Sequence, residues 1–216
     1  MRLLTIIDYG SGNLKSVQQS VYRVANEQAE EWVIKTSSNP KEVSEADYII
    51  LPGVGNFADC KKNLTEIKEM EQVLEMRVQQ SAVPFLGICV GMQLMATKGF
   101  EGKQVSGLNW IEGTVLPLKP KPKINYKIPH MGWNKIKLHN TNHYLSTKPI
   151  NDLFYYFVHS YHFVPANSGD CLAYTEYGEK VTAIIAKDNK IGTQFHPEKS
   201  QKAGLYLLSC FLNWHI

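Results

Sequence analysis

The sequence predicts an α/β chain: a doubly wound, mostly parallel sheet with helices on both faces, extended in its second half by antiparallel or mixed strands. Three observations lead there. Apolar runs of strand length alternate with amphipathic helical stretches through the first half. One such run, residues 83–88, passes without a spacer into a helical pattern, and from about Gly107 the texture changes to short alternating strands. Sheets of the first kind carry their sites at the carboxyl ends of strands.

Taken in order, residues 3–7 are an apolar strand and 13–24 an amphipathic helix; 32–35 and 48–51 are further strands. Residues 57–80 are polar and helical, with apolar positions at Leu64, Ile67, Met70, Val73, Leu74 and Val78. The strand at 83–88 leads into a helix over 90–98. Strands are then expected at 113–118, 134–138, 154–164 and 172–177, and a hairpin pairs 182–187 with 190–195 around Asp188-Asn189. An amphipathic helix over 201–214 closes the chain. No internal repeat, low-complexity tract or linker is present, so residues 1–216 read as a single domain.

Composition narrows the class. With 216 residues, 44% hydrophobic and 20% charged, the chain is long enough to bury a full core. Met1-Arg2-Leu3-Leu4-Thr5-Ile6-Ile7 enters a strand at once, without signal-peptide features, and no apolar stretch approaches the ~18 residues of a membrane span. A cytoplasmic protein is expected. Cys60, Cys89, Cys171 and Cys210 show no short paired spacing, which suggests neither a zinc site nor a disulfide framework, and no metal or cofactor is expected. A net charge of +3 is too mild to imply nucleic acid. The basic cluster Lys119, Lys121, Lys123 and Lys127 among prolines reads as a solvated loop, with contact to a partner, an anionic ligand or RNA as the other readings.

The chemistry concentrates in Pro84-Phe85-Leu86-Gly87-Ile88-Cys89-Val90-Gly91-Met92-Gln93. A strand that turns at once into a helix forces the turn residue into a cramped backbone, and glycines on either side keep neighbouring backbones apart. The helix starting at Val90 aims free N–H groups at the sulfur, which favours thiolate and lowers a pKa ordinarily near ~8.5. Alone, Cys89 fits a nucleophile and a buried structural thiol equally well. A base is offered by Gly192-Thr193-Gln194-Phe195-His196-Pro197-Glu198, where a short strand ends in a histidine with a carboxylate two residues on. On an extended segment those two share a side, so Glu198 orients His196 while the other ring nitrogen faces Cys89.

Two further loops follow expected strands. Gly10-Ser11-Gly12-Asn13 lacks the third glycine of a dinucleotide fingerprint, Lys15 standing in its place, so no such cofactor is expected. Leu51-Pro52-Gly53-Val54-Gly55-Asn56 is either an ordinary tight turn or, with the N–H of Val90, an oxyanion hole.

Gly87-Ile88-Cys89-Val90-Gly91-Met92-Gln93 with His196-Pro197-Glu198 resembles the class I glutamine amidotransferases. Pro52-Gly53-Val54-Gly55, Asp8-Tyr9-Gly10-Ser11-Gly12-Asn13-Leu14 and especially His130-Met131-Gly132-Trp133-Asn134 resemble the branch serving imidazole glycerol phosphate synthase in histidine biosynthesis. The resemblance spans essentially the whole chain. It implies that Cys89 attacks glutamine, that His196 moves protons, and that Glu198 orients His196. It further implies that Gly53, Val54, Gly55 and Val90 hold the oxyanion, and that Gln93, Ser160, Tyr161 and His162 seat the substrate. Asn13, His130 and Trp133 would face a (β/α)8 cyclase subunit, in a heterodimer, that receives the ammonia; for Trp133 internal packing remains the other reading.

The same resemblance implies an oxyanion loop that stays unformed until the partner binds its ligand. A peptide flip at Val54, with Gly53 and Gly55 sterically free to allow it, would supply the gate. Other readings are a paralogous subunit feeding a different synthase, such as one amidating a surface sugar, a free-standing cysteine hydrolase, or a non-catalytic scaffold. The intact Cys89, His196 and Glu198 weigh against the last.

Overall fold

The computed structural model describes residues 1–121, 126–140 and 143–215; Lys123 of the basic cluster lies outside them. The main sheet is assembled from β1 (Arg2–Ile7), β2 (Trp32–Ser37), β3 (Tyr48–Gly53), β4 (Phe85–Cys89), β9 (Lys137–Leu138), β12 (Cys171–Glu176), β13 (Lys180–Lys187) and β14 (Lys190–Thr193). Its order is β2-β1-β3-β4-β14-β13-β12-β9. The first five strands in that order run parallel and the last three are added antiparallel, which is the expected α/β architecture with its extension.

Burial explains the layering. β3, β4 and β14 are buried at every residue, as strands covered on both faces must be. The helices α1 (Leu14–Ala25) and α6 (Gln201–Leu212) pack on one another. A second group comprises α2 (Pro40–Ser44), α3 (Phe57–Glu66), α4 (Met70–Leu74) and α5 (Val90–Leu94). In α1 the buried stripe is Val17, Val21 and Val24, one face at helical spacing. Leu207, Leu208, Phe211 and Leu212 do the same for α6. Among the described residues, no helix is long and apolar enough to cross a membrane.

Several elements differ from expectation, each for a physical reason. The single helix over 57–80 is three pieces. After α3 the chain leaves helical geometry at Ile67, turns through Glu69 at φ 70°, and resumes as α4, which continues into a π-helical stretch over Glu75–Gln80. Past the break, Met70, Leu74 and Val78 recur every fourth residue and form the buried stripe of the resumed helix. The helix over 90–98 stops at Leu94. There the carbonyls of Leu94 and Met95 accept from the N–H groups of Leu108, Trp110 and Ile111. Lys98 instead opens a hairpin of β5 (Lys98–Glu101) and β6 (Lys103–Ser106).

The run 154–164 divides at Ser160 into β10 (Phe154–His159) and β11 (Tyr161–Pro165), which enter different sheets. β10 pairs antiparallel with β8 (His130–Lys135) in a two-stranded sheet. β11 joins β7 (Gly113–Pro117), β5 and β6 in a four-stranded one. The unforeseen α2 has a local signal: the Asn39 side chain accepts from the Lys41 N–H and Pro40 occupies the first helical turn.

Candidate active site

Three neighbouring strands of the main sheet end together. Gly53 closes β3 directly opposite Cys89, the last residue of β4, while β14 lies along the other edge of β4 and leads to His196. The loop after β3, the nucleophile candidate and the base candidate thus share one rim.

At the turn from β4 to α5, Cys89 is held at φ 54° and ψ −109°, a conformation a non-glycine residue rarely takes. The turn is tight because α5 lies close to β3: a Cβ on Gly91 would stand 1.8 Å from the Leu51 carbonyl oxygen. That contact fixes why glycine follows the cysteine at this spacing.

The base is set by a turn rather than by an extended strand. Pro197–Lys199 form a single 3-10 turn with the proline leading, and this turn brings Glu198 Oε1 to 2.8 Å from His196 Nδ1. Both side chains are buried. Ser200 Oγ donates to the His196 carbonyl at 2.6 Å and pins the backbone. Nε2 of His196 is buried without a hydrogen-bond partner, and Cys89 is the reactive group beside it. Burial by itself lowers the His196 pKa, but the Cys89 sulfur and the Glu198 carboxylate outweigh it and push the ring up to about 10. A folded pKa raised above ~6.5 contributes stability that is complete below the unfolded value and lost as pH rises through about 10. The denaturant midpoint of the wild type is therefore expected to fall more between about pH 6.5 and about pH 10 than that of His196→Asn; parallel pH profiles would count against the ion pair.

A cavity of about 210 Å³ opens onto Cys89. Its wall includes Gly55, Val90, Gln93, Ser160 and Tyr161, all expected, and Glu101, Pro129, Val158 and His159, which were not. Glu101 sits on β5, an element absent from the sequence reading, and its Oε2 accepts from the Phe57 N–H at 2.7 Å. It adds a carboxylate to the cavity that Cys89 also lines. A larger groove of about 720 Å³ lies beyond Glu101 and contains no nucleophile. His162 does not line the cavity; it follows Tyr161 on a strand, whose successive side chains alternate, and it is buried elsewhere.

Gln93 is buried, and its Nε2 donates to the Tyr161 carbonyl at 3.0 Å and to Gln194 Oε1 at 3.1 Å. Gln194 Nε2 in turn approaches Cys89 Sγ at 3.7 Å.

Both backbone groups of Val54 are engaged by the Gly10–Gly12 loop and α3. The Val54 N–H donates to Ser11 Oγ at 3.0 Å, and its carbonyl accepts from Ser11 Oγ at 2.7 Å and from the Cys60 thiol at 3.4 Å. The loop set aside as a dinucleotide site thus grips the loop read as an oxyanion hole. The expectation that both flanking glycines are free holds for one of them. Gly55 sits at φ +99° with open space around it, whereas a Cβ on Gly53 would meet the Tyr9 hydroxyl at 2.6 Å and the Gly91 nitrogen at 2.8 Å.

The residues expected to face a partner separate. Asn13 is exposed at the start of α1 and makes no capping bond there with its side chain. Trp133 is 45% exposed, with its ring edge against Tyr156. His130 is only 2% exposed: it stacks between Tyr177 and Phe157 and bonds His159, so it faces the interior. Three residues apart on a strand, His130 and Trp133 fall on opposite faces. Trp133 shares the outer face of the β8–β10 pair with Met131, Phe154, Tyr156 and Val158. In the basic loop, Lys121 donates its backbone N–H to the Gly178 carbonyl at 3.2 Å, and the Lys127 carbonyl accepts from the Tyr177 hydroxyl at 2.7 Å.

Comparison with known proteins gives a consistent result. The family model described as glutamine amidotransferase class-I matches residues 5–213. A protein of Rhodopseudomonas palustris named imidazole glycerol phosphate synthase subunit HisH is 48% identical over 213 residues, covering 98% of each chain. One of the same name from Zymomonas mobilis is 48% identical over 212 residues, 98% of this chain and 96% of the other. Among solved structures, a putative GMP synthase protein of Thermoplasma acidophilum superposes with a TM-score of 0.65 at 17% identity, over 98% of this chain and 92% of that one, a likeness of fold.

Proposed function

This chain belongs to the class I glutamine amidotransferase family, and from that premise we propose that it is the glutaminase subunit of an imidazole glycerol phosphate synthase, acting as one cytoplasmic domain in histidine biosynthesis. The observation that carries the reading is the meeting of Cys89, His196 and Glu198 at the ends of β4 and β14.

The reaction follows from those positions. His196, whose pKa is raised, takes the Cys89 proton and leaves a thiolate to attack. The sulfur attacks the glutamine carboxamide carbon, and the C=O electrons move to oxygen as a tetrahedral oxyanion. His196 gives its proton to the departing nitrogen, ammonia leaves, and a thioester remains. A water, its proton taken by His196, then attacks the thioester carbon, releasing glutamate and restoring the thiolate. Glu198 holds Nδ1 and keeps Nε2 aimed at the reaction. Within the same cavity, the Glu101 carboxylate and the Gln93 Oε1 suit the substrate's ammonium group, since Gln93 Nε2 is committed within the protein.

The oxyanion is met by the N–H of Val90 and, after a flip, by the Val54 peptide. In the resting arrangement Ser11 and Cys60 hold that peptide the wrong way round, which supports an enzyme that idles without its partner. The face formed by exposed Met131, Trp133 and Phe154 with half-buried Tyr156 is the docking surface for a cyclase barrel, with Asn13 as a second contact. Such a face has no use in a free-standing hydrolase.

The test is glutamate release by the full chain, alone and with an imidazole glycerol phosphate synthase barrel subunit carrying its ribulosyl nucleotide. Low basal turnover rising strongly only in the complex is expected. In the unpartnered chain, Ser11→Ala removes the hydroxyl that binds both the N–H and the carbonyl of Val54 and should raise the basal rate about tenfold, the equivalent of one or two hydrogen bonds. An unchanged basal rate in Ser11→Ala would remove the latch from the account, and brisk turnover by the wild type alone would remove the partner.

A further inference from the structure

Two histidines beside the cavity have no part in the reaction described above. His159 is buried at the end of β10, with Nδ1 2.9 Å from the Tyr161 carbonyl oxygen and Nε2 2.9 Å from Nδ1 of His130. A carbonyl oxygen only accepts, so His159 Nδ1 carries the proton. Its Nε2 is then a lone pair, and His130 Nδ1 must be the donor to it. Burial supports this assignment by holding both rings neutral, pushing His159 down to about 3 and His130 to about 4.

The same carbonyl of Tyr161 accepts from Gln93 Nε2. An unbroken line of donors and acceptors therefore runs from β8 to the sulfur: His130, His159, the Tyr161 carbonyl, the Gln93 amide, the Gln194 amide and Cys89. Each orientation is dictated by the next. The Gln93 NH2 group must face two acceptor oxygens, and Gln194, having given its oxygen to Gln93, turns its NH2 group to the thiol.

We propose that His159, kept in its Nδ1–H tautomer by His130, is a positioning residue for glutamine: it fixes the Tyr161 carbonyl, and through it the Gln93 amide that seats the substrate. The proposal rests on the glutaminase reading of the cavity. Because His130 lies on the same strand as the exposed Trp133, the hydrogen-bonded line from the glutamine seat ends on a strand of the docking face.

The experiment has two arms. Nitrogen-15 NMR of the full-length wild type at neutral pH should show both histidines neutral with the proton on Nδ1; an Nε2–H tautomer or a protonated ring at His159 would overturn the proposal, whatever the variants do. In the second arm, Cys89 is alkylated by 6-diazo-5-oxonorleucine, which must occupy the glutamine seat, and by iodoacetamide, which need not. His130→Phe keeps a ring to stack on Tyr177 and Phe157 but removes the donor. Reaction with the glutamine analogue below saturation is expected to slow about tenfold, with iodoacetamide changed less than about twofold. His130→Asn, whose side-chain NH2 group sits where Nδ1 was, should recover most of the loss. Equal slowing of both reagents, or of neither, would refute the positioning role. A wild type that reacts with iodoacetamide but never with the analogue would instead sink the glutaminase reading, and the proposal with it.

Discussion

Cys89→Ala is expected to lower glutamate release by the partnered enzyme by a factor of about 10⁴ or more, since removing a nucleophile also idles the groups that serve it. The fold should tolerate the change. Alanine keeps the Cβ and the same strained backbone, and only a buried sulfur is lost, so the unfolding free energy should move by about 1 kcal/mol or less. The substitution also removes the sulfur that raises the His196 pKa, and the ring should titrate lower in the variant. Steady-state kinetics, denaturant unfolding and histidine NMR on one preparation check all three. Retention of a tenth of the activity, or a collapse of stability, would reject Cys89 as nucleophile. Cys171→Ala and Cys210→Ala serve as controls for general thiol loss.

Gly91→Ala is expected to do the reverse, damaging structure first. The new methyl group would sit 1.8 Å from the Leu51 carbonyl oxygen, and backbone cannot yield as a flexible side chain does. Either α5 lifts from β3 or the strand moves, at a cost of about 3 kcal/mol or more. For a chain of this size that is a fall in melting temperature of roughly 6–12 °C. Any folded fraction would carry a displaced Cys89, and a displacement of about 1 Å can cost about 10² in rate. Gly102→Ala, at a turn with open space, is the comparison: its strained φ of +77° predicts a much smaller loss. Similar melting temperatures for the two variants would mean that the close approach of α5 to β3 does not constrain the site.

Where chemistry is local in sequence, it was legible. Cys89 and its glycines occupy one strand-to-helix turn, and His196 and Glu198 are two residues apart, so spacing alone singled them out. Even there the reason differed, for a 3-10 turn and not an extended segment brings Glu198 to His196. The central parallel sheet was legible because its strands are short apolar runs covered on both sides. Glu101 escaped because it reaches the cavity from β5, a strand made possible only by the 107–111 segment that stops α5. The division at Ser160 escaped because an alternating run looks the same whether it serves one sheet or two. His130 was assigned outward with Trp133, although an odd separation on a strand puts two side chains on opposite faces. The Ser11–Val54 grip joins loops more than forty residues apart, and nothing in either loop announces the other.

The position of β14 has a consequence for how the enzyme is made. It is among the last strands in the chain, yet it lies in the interior of the sheet, between β4 and β13. A ribosome delivers Cys89 and the Val54 loop roughly a hundred residues before His196, and long-range parallel pairing is slow to form. Until the C-terminal third has been synthesised and has inserted, the nascent chain holds a thiol with no base beside it. On the proposed reading, glutamine therefore meets Cys89, His196 and Glu198 together only after the chain through β14 has passed its own folding inspection.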